Sequence, residues 1–216
     1  MINKLDYVKK RQKLLREAIE YKKDFEAWEE SCVPSYCHPN PFAAGISWMR
    51  LFAAKELAER NGPPLKRVLD FGSSIGEVGH LFPKATQYDF IEGDELPAKF
   101  LKKQLPKAKR TTLEKAPDGA YDHVFAIDSL EHNTNYAELL DVLVGKLAPG
   151  GVFILSGPTE NWLYKFGRKL AGFEGHYHET NIHAIEAAAA KRLERRGVKS
   201  ILPVATLFRV TAWQKK

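Results

Sequence analysis

The decamer Val68-Leu69-Asp70-Phe71-Gly72-Ser73-Ser74-Ile75-Gly76-Glu77 is an apolar run that ends in an acid, turns through two glycines and opens a helical stretch. A buried strand breaking into such a turn exposes backbone N–H groups and lets a ligand approach the main chain closely. Three nucleotide-type readings compete for it. A dinucleotide fold wants G-x-G-x-x-G, but position 74 is Ser and the third glycine would fall at Glu77. A P-loop wants Gly-Lys-Ser/Thr, which the stretch lacks. The third reading depends on an acidic residue further along the chain.

On either side of the decamer, short apolar runs alternate with helical stretches. Strands are predicted at residues 67–71, 87–92, 121–127 and 152–155, with a weak one at 111–113. Helices are predicted just after the glycine turn, at 96–104 and at 136–147. This β-α-β-α rhythm implies an α/β fold, a doubly wound parallel sheet with ligands at the carboxyl ends of its strands. A helix over 181–196 then precedes strands at 198–204 and 207–213. Their link is too short for a crossover, so that pair must be antiparallel. Before the decamer, Leu14, Ala18, Tyr21, Phe25 and Trp28 recur in steps of four and three, the stripe of an amphipathic helix. Prolines within 33–41 break it. A second helix is predicted over 42–60, with Ile46, Met49, Phe52, Ala53 and Leu57 near one face, and Asn61-Gly62-Pro63-Pro64 stops it. The expected organisation is a helical N-terminal cap, residues 1–64, and a Rossmann-like domain, residues 65–216.

The second strand ends in Tyr88-Asp89-Phe90-Ile91-Glu92, twenty-two residues beyond Asp70. A carboxylate there can accept hydrogen bonds from both hydroxyls of a ribose. With the phosphate-binding motifs absent, the turn fits S-adenosylmethionine, a ligand without phosphates. Glu92 is the expected ribose carboxylate; Asp94 would take its place if the strand end were shifted. The chain resembles the class I, Rossmann-like S-adenosylmethionine-dependent methyltransferases. VLDFGSSIGE is similar to their first motif, YDFIEGDE to the second, AYDHVFAIDSLEH to the fourth and LAPGGVFILSGP to the segment around the fifth strand. The last two resemble the branch of small-molecule, lipid and glycan methyltransferases that includes the ubiquinone O-methyltransferases. Ser74 departs from the family, which usually has Gly there. The resemblance implies a seven-stranded, mostly parallel sheet with an antiparallel last strand. It also implies cofactor contacts at Asp70, Gly72, Ser73, Ser74, Gly76, Glu92, Gly93, Asp128 and Ser129.

Transfer of a sulfonium methyl is an in-line displacement, so the protein mainly positions the partners and excludes water. A hydroxyl acceptor also needs a base. His132, in Asp128-Ser129-Leu130-Glu131-His132 just past the fourth strand, is the candidate. The Glu131–His132 pair supplies too few ligands to assign a metal. Residues 157–180 read as a lid. On a helix, Trp162, Leu163, Phe166, Leu170 and Phe173 fall within an arc of roughly 100°, and Lys165, Arg168 and Lys169 lie on a separate arc. Such a segment suits an amphiphilic acceptor or a peripheral membrane contact. Substrate contacts are expected at Trp162, Tyr164, His176 and His178. For the tract His176-Tyr177-His178, an acceptor site, an ordinary loop and a metal tract stay open.

The 216 residues are 44% hydrophobic and 28% charged, a globular composition. No apolar run reaches a membrane span, and the charged N-terminus lacks a secretory core, so a cytoplasmic location is expected. The net charge is +6. Residues 99–115 carry seven basic side chains against one Glu, and a second group lies at Lys191, Arg192, Arg195, Arg196 and Lys199. Neither is interleaved with the exposed aromatics that a single-strand platform needs, so both read as solvated faces and no nucleic-acid partner is expected. Cys32, Cys37 and His38 on one short loop fall short of a closed zinc site. Acceptor identity and oligomeric state have no readable code.

Overall fold

The computed structural model describes residues 3–18, 28, 31–159, 180–202 and 206–216. The chain divides into two compact units, Met1–Met49 and Arg50–Lys216. That division falls inside the second predicted helix, whereas the proline-rich stop placed it at 64/65.

In the first unit, α1 (Lys4–Ala18) covers the start of the predicted stripe, but the fully buried residue is Leu15, while Leu14 of the stripe is half-buried and Trp28 is buried. Tyr21 and Phe25 lie outside the described residues. Within the proline stretch expected to break the helix, Val33–Tyr36 forms a short α2 with Pro34 in its first turn. The Tyr36 ring packs 4.8 Å from that of Trp48, and Tyr7 meets Trp48 edge-on at 6.0 Å. Gln12 Nε2 and Trp48 Nε1 both donate to the Tyr36 carbonyl, at 2.8 and 3.2 Å. Asn40 Oδ1 accepts from Phe42 N at 2.9 Å, which caps α3 (Pro41–Asn61). The face of α3 differs from expectation. Ala53 and Leu57 are buried as expected, but Ala44, Trp48, Leu51, Ala54 and Ala58 are buried too, whereas Met49 is exposed. Apolar residues lie nearly all round this helix, so periodicity alone leaves its rotation open. The indole N–H of Trp48 needs a buried acceptor, which Tyr36 supplies.

The second unit is built on one seven-stranded sheet. Its strands are β1 (Arg67–Phe71), β2 (Gln87–Ile91), β3 (Lys109–Arg110), β4 (Tyr121–Ile127), β5 (Leu147–Pro158), β6 (Leu193–Ile201) and β7 (Phe208–Lys215). The order is β3-β2-β1-β4-β5-β7-β6. The strands β1 to β5 pair in parallel, and β7 is antiparallel to both neighbours. Strand order reverses between β1 and β4, the switch point where an open α/β sheet offers a crevice. Alternation splits the strands into two faces. Leu69, Val124, Ala126, Phe153 and Leu155 pack with Leu140 and Leu143 of α6 (Tyr136–Lys146) and Ile185 and Ala189 of α7 (Ile182–Arg192). On the other face, Phe125 meets Phe82 at 5.5 Å, and His123 Nε2 donates to the Ala58 carbonyl at 3.2 Å. Between the strands lie α4 (Glu77–Leu81) and α5 (Glu95–Gln104).

Three predicted boundaries move. The third strand lies at Lys109–Arg110 rather than 111–113, although Thr111 N still donates to Phe90 O at 2.9 Å. The fifth extends back through Pro149-Gly150-Gly151, a stretch of turn composition. The last helix ends at Arg192, and residues 193–196, expected to be helical, begin β6. Their charge pattern suits a helix surface, but pairing with β7 supplies ladder hydrogen bonds that outweigh local propensity. Among the described residues, no helix is long and apolar enough to cross a membrane.

Candidate functional site

The register aligns the ends of β1, β2 and β4: Phe71 lies opposite Ile91 on one side and Ala126 on the other. The next residues of each strand therefore emerge together at the switch point. At the end of β1, Asp70 is buried and accepts from the Tyr88 hydroxyl. Burial pushes its carboxyl up to about 7; the Tyr88 hydrogen bond opposes this and the Glu92 charge adds to it. Gly72 turns at φ +67°, and a Cβ there would lie 2.4 Å from Ser129 Cβ. Only glycine lets the turn pass so close to the loop after β4. Ser74 holds φ +45°, so it adopts the left-handed conformation that the family's usual glycine would take freely.

The turn is stitched to β2. Gly72 N and Ser73 N donate to Ile91 O at 2.9 and 3.3 Å. The Glu92 carboxylate accepts from Ser74 N at 2.7 Å and from Asp94 N at 3.0 Å. Each of its oxygens keeps a lone pair for one further donor, such as a ribose hydroxyl. Asp94 is exposed at the N-cap of α5, with no capping bond from its side chain. Gly93 is exposed with open space around it.

At the end of β4, Asp128 takes φ +50°. Its carboxylate is ion-paired with buried Arg50 and accepts from Ser156 Oγ at 2.7 Å. The Arg50 guanidinium lies 4.0 Å over the Phe208 ring. Arg50 carries no sequence signal: it sits 78 residues before its partner, in a helix assigned to the cap. Ser129 comes next, and a 3-10 turn (Leu130–His132) continues the loop. Glu131 is fully buried while His132 is exposed, so the two side chains leave the turn in different directions. Among the described residues, no group of three His, Cys, Asp or Glu could hold a metal ion.

Trp162, Tyr164, His176 and His178 lie outside the described residues. Their segment's flanks are anchored. Thr159 N donates to Leu207 O at 3.0 Å, and Thr180 N donates to Glu131 O at 3.3 Å. The basic groups are largely engaged within the domain. Lys102 donates to the Pro106 and Ala108 carbonyls, Arg192 pairs with Asp141, Arg195 with Glu186 and Lys199 with Glu56. Among the described residues, Cys32 and Cys37 form no disulfide.

Two observations test the fit of S-adenosylmethionine. The Ser73 and Ser129 hydroxyls are buried with no hydrogen-bond partner among the described residues, and both flank Gly72. Buried hydroxyls left unpaired are costly, and a polar ligand over the turn would satisfy them. The Glu92 carboxylate, with its remaining lone pairs, borders the same turn. The residues fit the cofactor.

Residues 46–198, well over half of the chain, match the methyltransferase-domain family model. No curated protein matches the sequence. Among solved structures, the chain is similar to the N-methyltransferase NodS from Bradyrhizobium japonicum WM9 in complex with S-adenosyl-L-homocysteine. The two are 13% identical over 82% of this chain and 89% of that one, with a TM-score of 0.65. The PH0226 protein from Pyrococcus horikoshii OT3 matches at 13% identity over 88% and 99% of the two chains, TM-score 0.66. An S-adenosylmethionine-dependent methyltransferase from Mesorhizobium loti matches at 15% over 79% and 98%, TM-score 0.58. These likenesses establish the fold, and the family match establishes membership: the chain belongs to the methyltransferase-domain family, as a Rossmann-like, S-adenosylmethionine-dependent enzyme.

Proposed function

We propose that the enzyme methylates a hydroxyl of a small or amphiphilic, lipid- or glycan-linked acceptor, with His132 as the base. The observation that carries this is the single loop from Asp128 to His132. Its first residues lie against the glycine turn, through Ser129 and Gly72, and its last presents an exposed imidazole. When bound, S-adenosylmethionine supplies an activated sulfonium methyl. Glu92 holds the ribose, Gly72 and Ser74 admit the ligand to the backbone, and Ser73 and Ser129 offer it their hydroxyls. His132 then removes the acceptor's proton as its oxygen attacks. The acceptor contacts Trp162, Tyr164, His176 and His178 belong to a segment whose flanks, Thr159 and Thr180, are tied to β7's lead-in and to the His132 turn.

A second reading is N-methylation. It is favoured by Asp128, whose partly exposed carboxylate is oriented by Arg50 and Ser156 and could accept from an amine N–H. The similar NodS is an N-methyltransferase. Methyl-labelled cofactor offered to matched alcohol, phenol and amine acceptors separates the two. Hydroxyl products, with turnover cut by about 10²–10⁴-fold in His132→Ala at unchanged cofactor affinity, are expected. Amine products that survive His132→Ala would replace the first reading with the second.

A further inference from the structure

We propose that Arg110, at the end of β3, positions the Glu92 carboxylate and thereby sets cofactor affinity without touching the cofactor. This rests on the assignment of Glu92 to the ribose. The turn from β2 into α5 is not held by packing: Glu92 is only half-buried, and Gly93, Asp94 and Glu95 are exposed. Apart from its chain neighbours, none of the described residues comes within 4 Å of where a Gly93 Cβ would sit. The Arg110 guanidinium holds this turn from the neighbouring strand. Nη2 donates to the Glu92 carbonyl at 2.8 Å and to the Gly93 carbonyl at 3.4 Å, while Nη1 pairs with the Glu95 carboxylate. One planar fork thus joins three of the four turn residues to the end of β3. The main chain it fixes is the one from which Glu92 reaches Ser74 N and Asp94 N. Glu95 answers in kind: the Arg110 hydrogen bond and charge hold its carboxyl below the usual range.

Charge alone predicts the opposite effect. S-adenosylmethionine carries a net positive charge and S-adenosylhomocysteine none, so removing a nearby guanidinium should strengthen binding of the first and leave the second alone. Loss of a positioned ribose partner should weaken both equally, because both carry the same ribose. An exposed ion pair contributes little to folding, so the melting temperature should hardly move.

Calorimetric titration of S-adenosylmethionine and S-adenosylhomocysteine into wild type, Arg110→Ala, Arg110→Lys, Glu92→Ala and the Glu92→Ala/Arg110→Ala double variant tests this. Arg110→Ala should weaken both ligands roughly 3–10-fold, the worth of a lost positioning hydrogen bond. Arg110→Lys should recover little, since an ammonium cannot span two carbonyls and a carboxylate. In the Glu92→Ala background the Arg110 substitution should add nothing. Additive losses, tighter binding of S-adenosylmethionine alone, or no change in Arg110→Ala would each overturn the proposal. Weakening by Glu92→Ala without weakening by Arg110→Ala keeps the ribose assignment and discards Arg110. An inert Glu92→Ala discards the ribose assignment, and the positioning role with it.

Discussion

Asp70 shows what a buried carboxyl next to the end of β1 costs the fold as pH rises. Its carboxyl sits near 7 when buried, against 3.8 in the ordinary range that the unfolded chain restores. Between those values the folded protein holds a proton that the unfolded chain has released. The associated stability is complete below about pH 4 and is lost as pH rises through 7, in all of order 4 kcal/mol. Urea unfolding at pH 5 and pH 8 should show this decline in wild type and its absence in Asp70→Asn. An equal decline in the variant would assign the slope to another group. Asp70 and Glu92 were legible in sequence because each stands within a residue of where an apolar run gives way to a turn. Arg50 and Arg110 were not, because each acts on a partner that folding brings near: Asp128, 78 residues on, and the Glu92–Glu95 turn, 15 to 18 residues back.

At the scale of elements, the glycine pair before β5's apolar core is the clearest lesson. Pro149-Gly150-Gly151 has turn composition and lies inside β5 as a bulge: Gly150 takes φ +72°, and the register passes from Leu147 opposite Tyr121 to Val152 opposite His123. A Cβ on Gly151 would lie 2.9 Å from the Ala148 and Tyr121 carbonyl oxygens. Those are backbone atoms of two paired strands and cannot swing aside. Gly151→Ala should therefore destabilise the fold by roughly 1–3 kcal/mol, the cost of overpacking. Gly145→Ala, where the nearest atom is the Asp118 carboxylate at 3.9 Å, provides the control. Thermal melts that fall equally in both variants would show that close approach is not the cause.

At the scale of the whole molecule, the candidate site lies at the carboxyl ends of β1, β2 and β4, and the choice of acceptor is proposed to rest with the segment that follows β5. The flanks of residues 160–179 are tied to Leu207 and Glu131, on the side where β4 and β5 end. Changing Trp162 and Phe166 together to Ser should lower acceptor affinity or vesicle association, while cofactor binding and melting temperature stay near wild type. Both quantities falling together would place these aromatics in the core.

The amino-acid sequence by itself determined the alternation of strands and helices, the switch-point turn, the acid beside the end of each of the first two strands and the antiparallel close. All of these are local: apolar runs, glycines and link lengths decide them within a few residues. Tertiary structure alone decided which face of α3 is buried, where α7 yields to β6, and which charges support the site. A Trp48 indole seeking a carbonyl, a β7 edge seeking a partner and the carboxylate of Asp128 receiving Arg50 are demands that appear only when distant segments meet. Local pattern carries no record of those meetings.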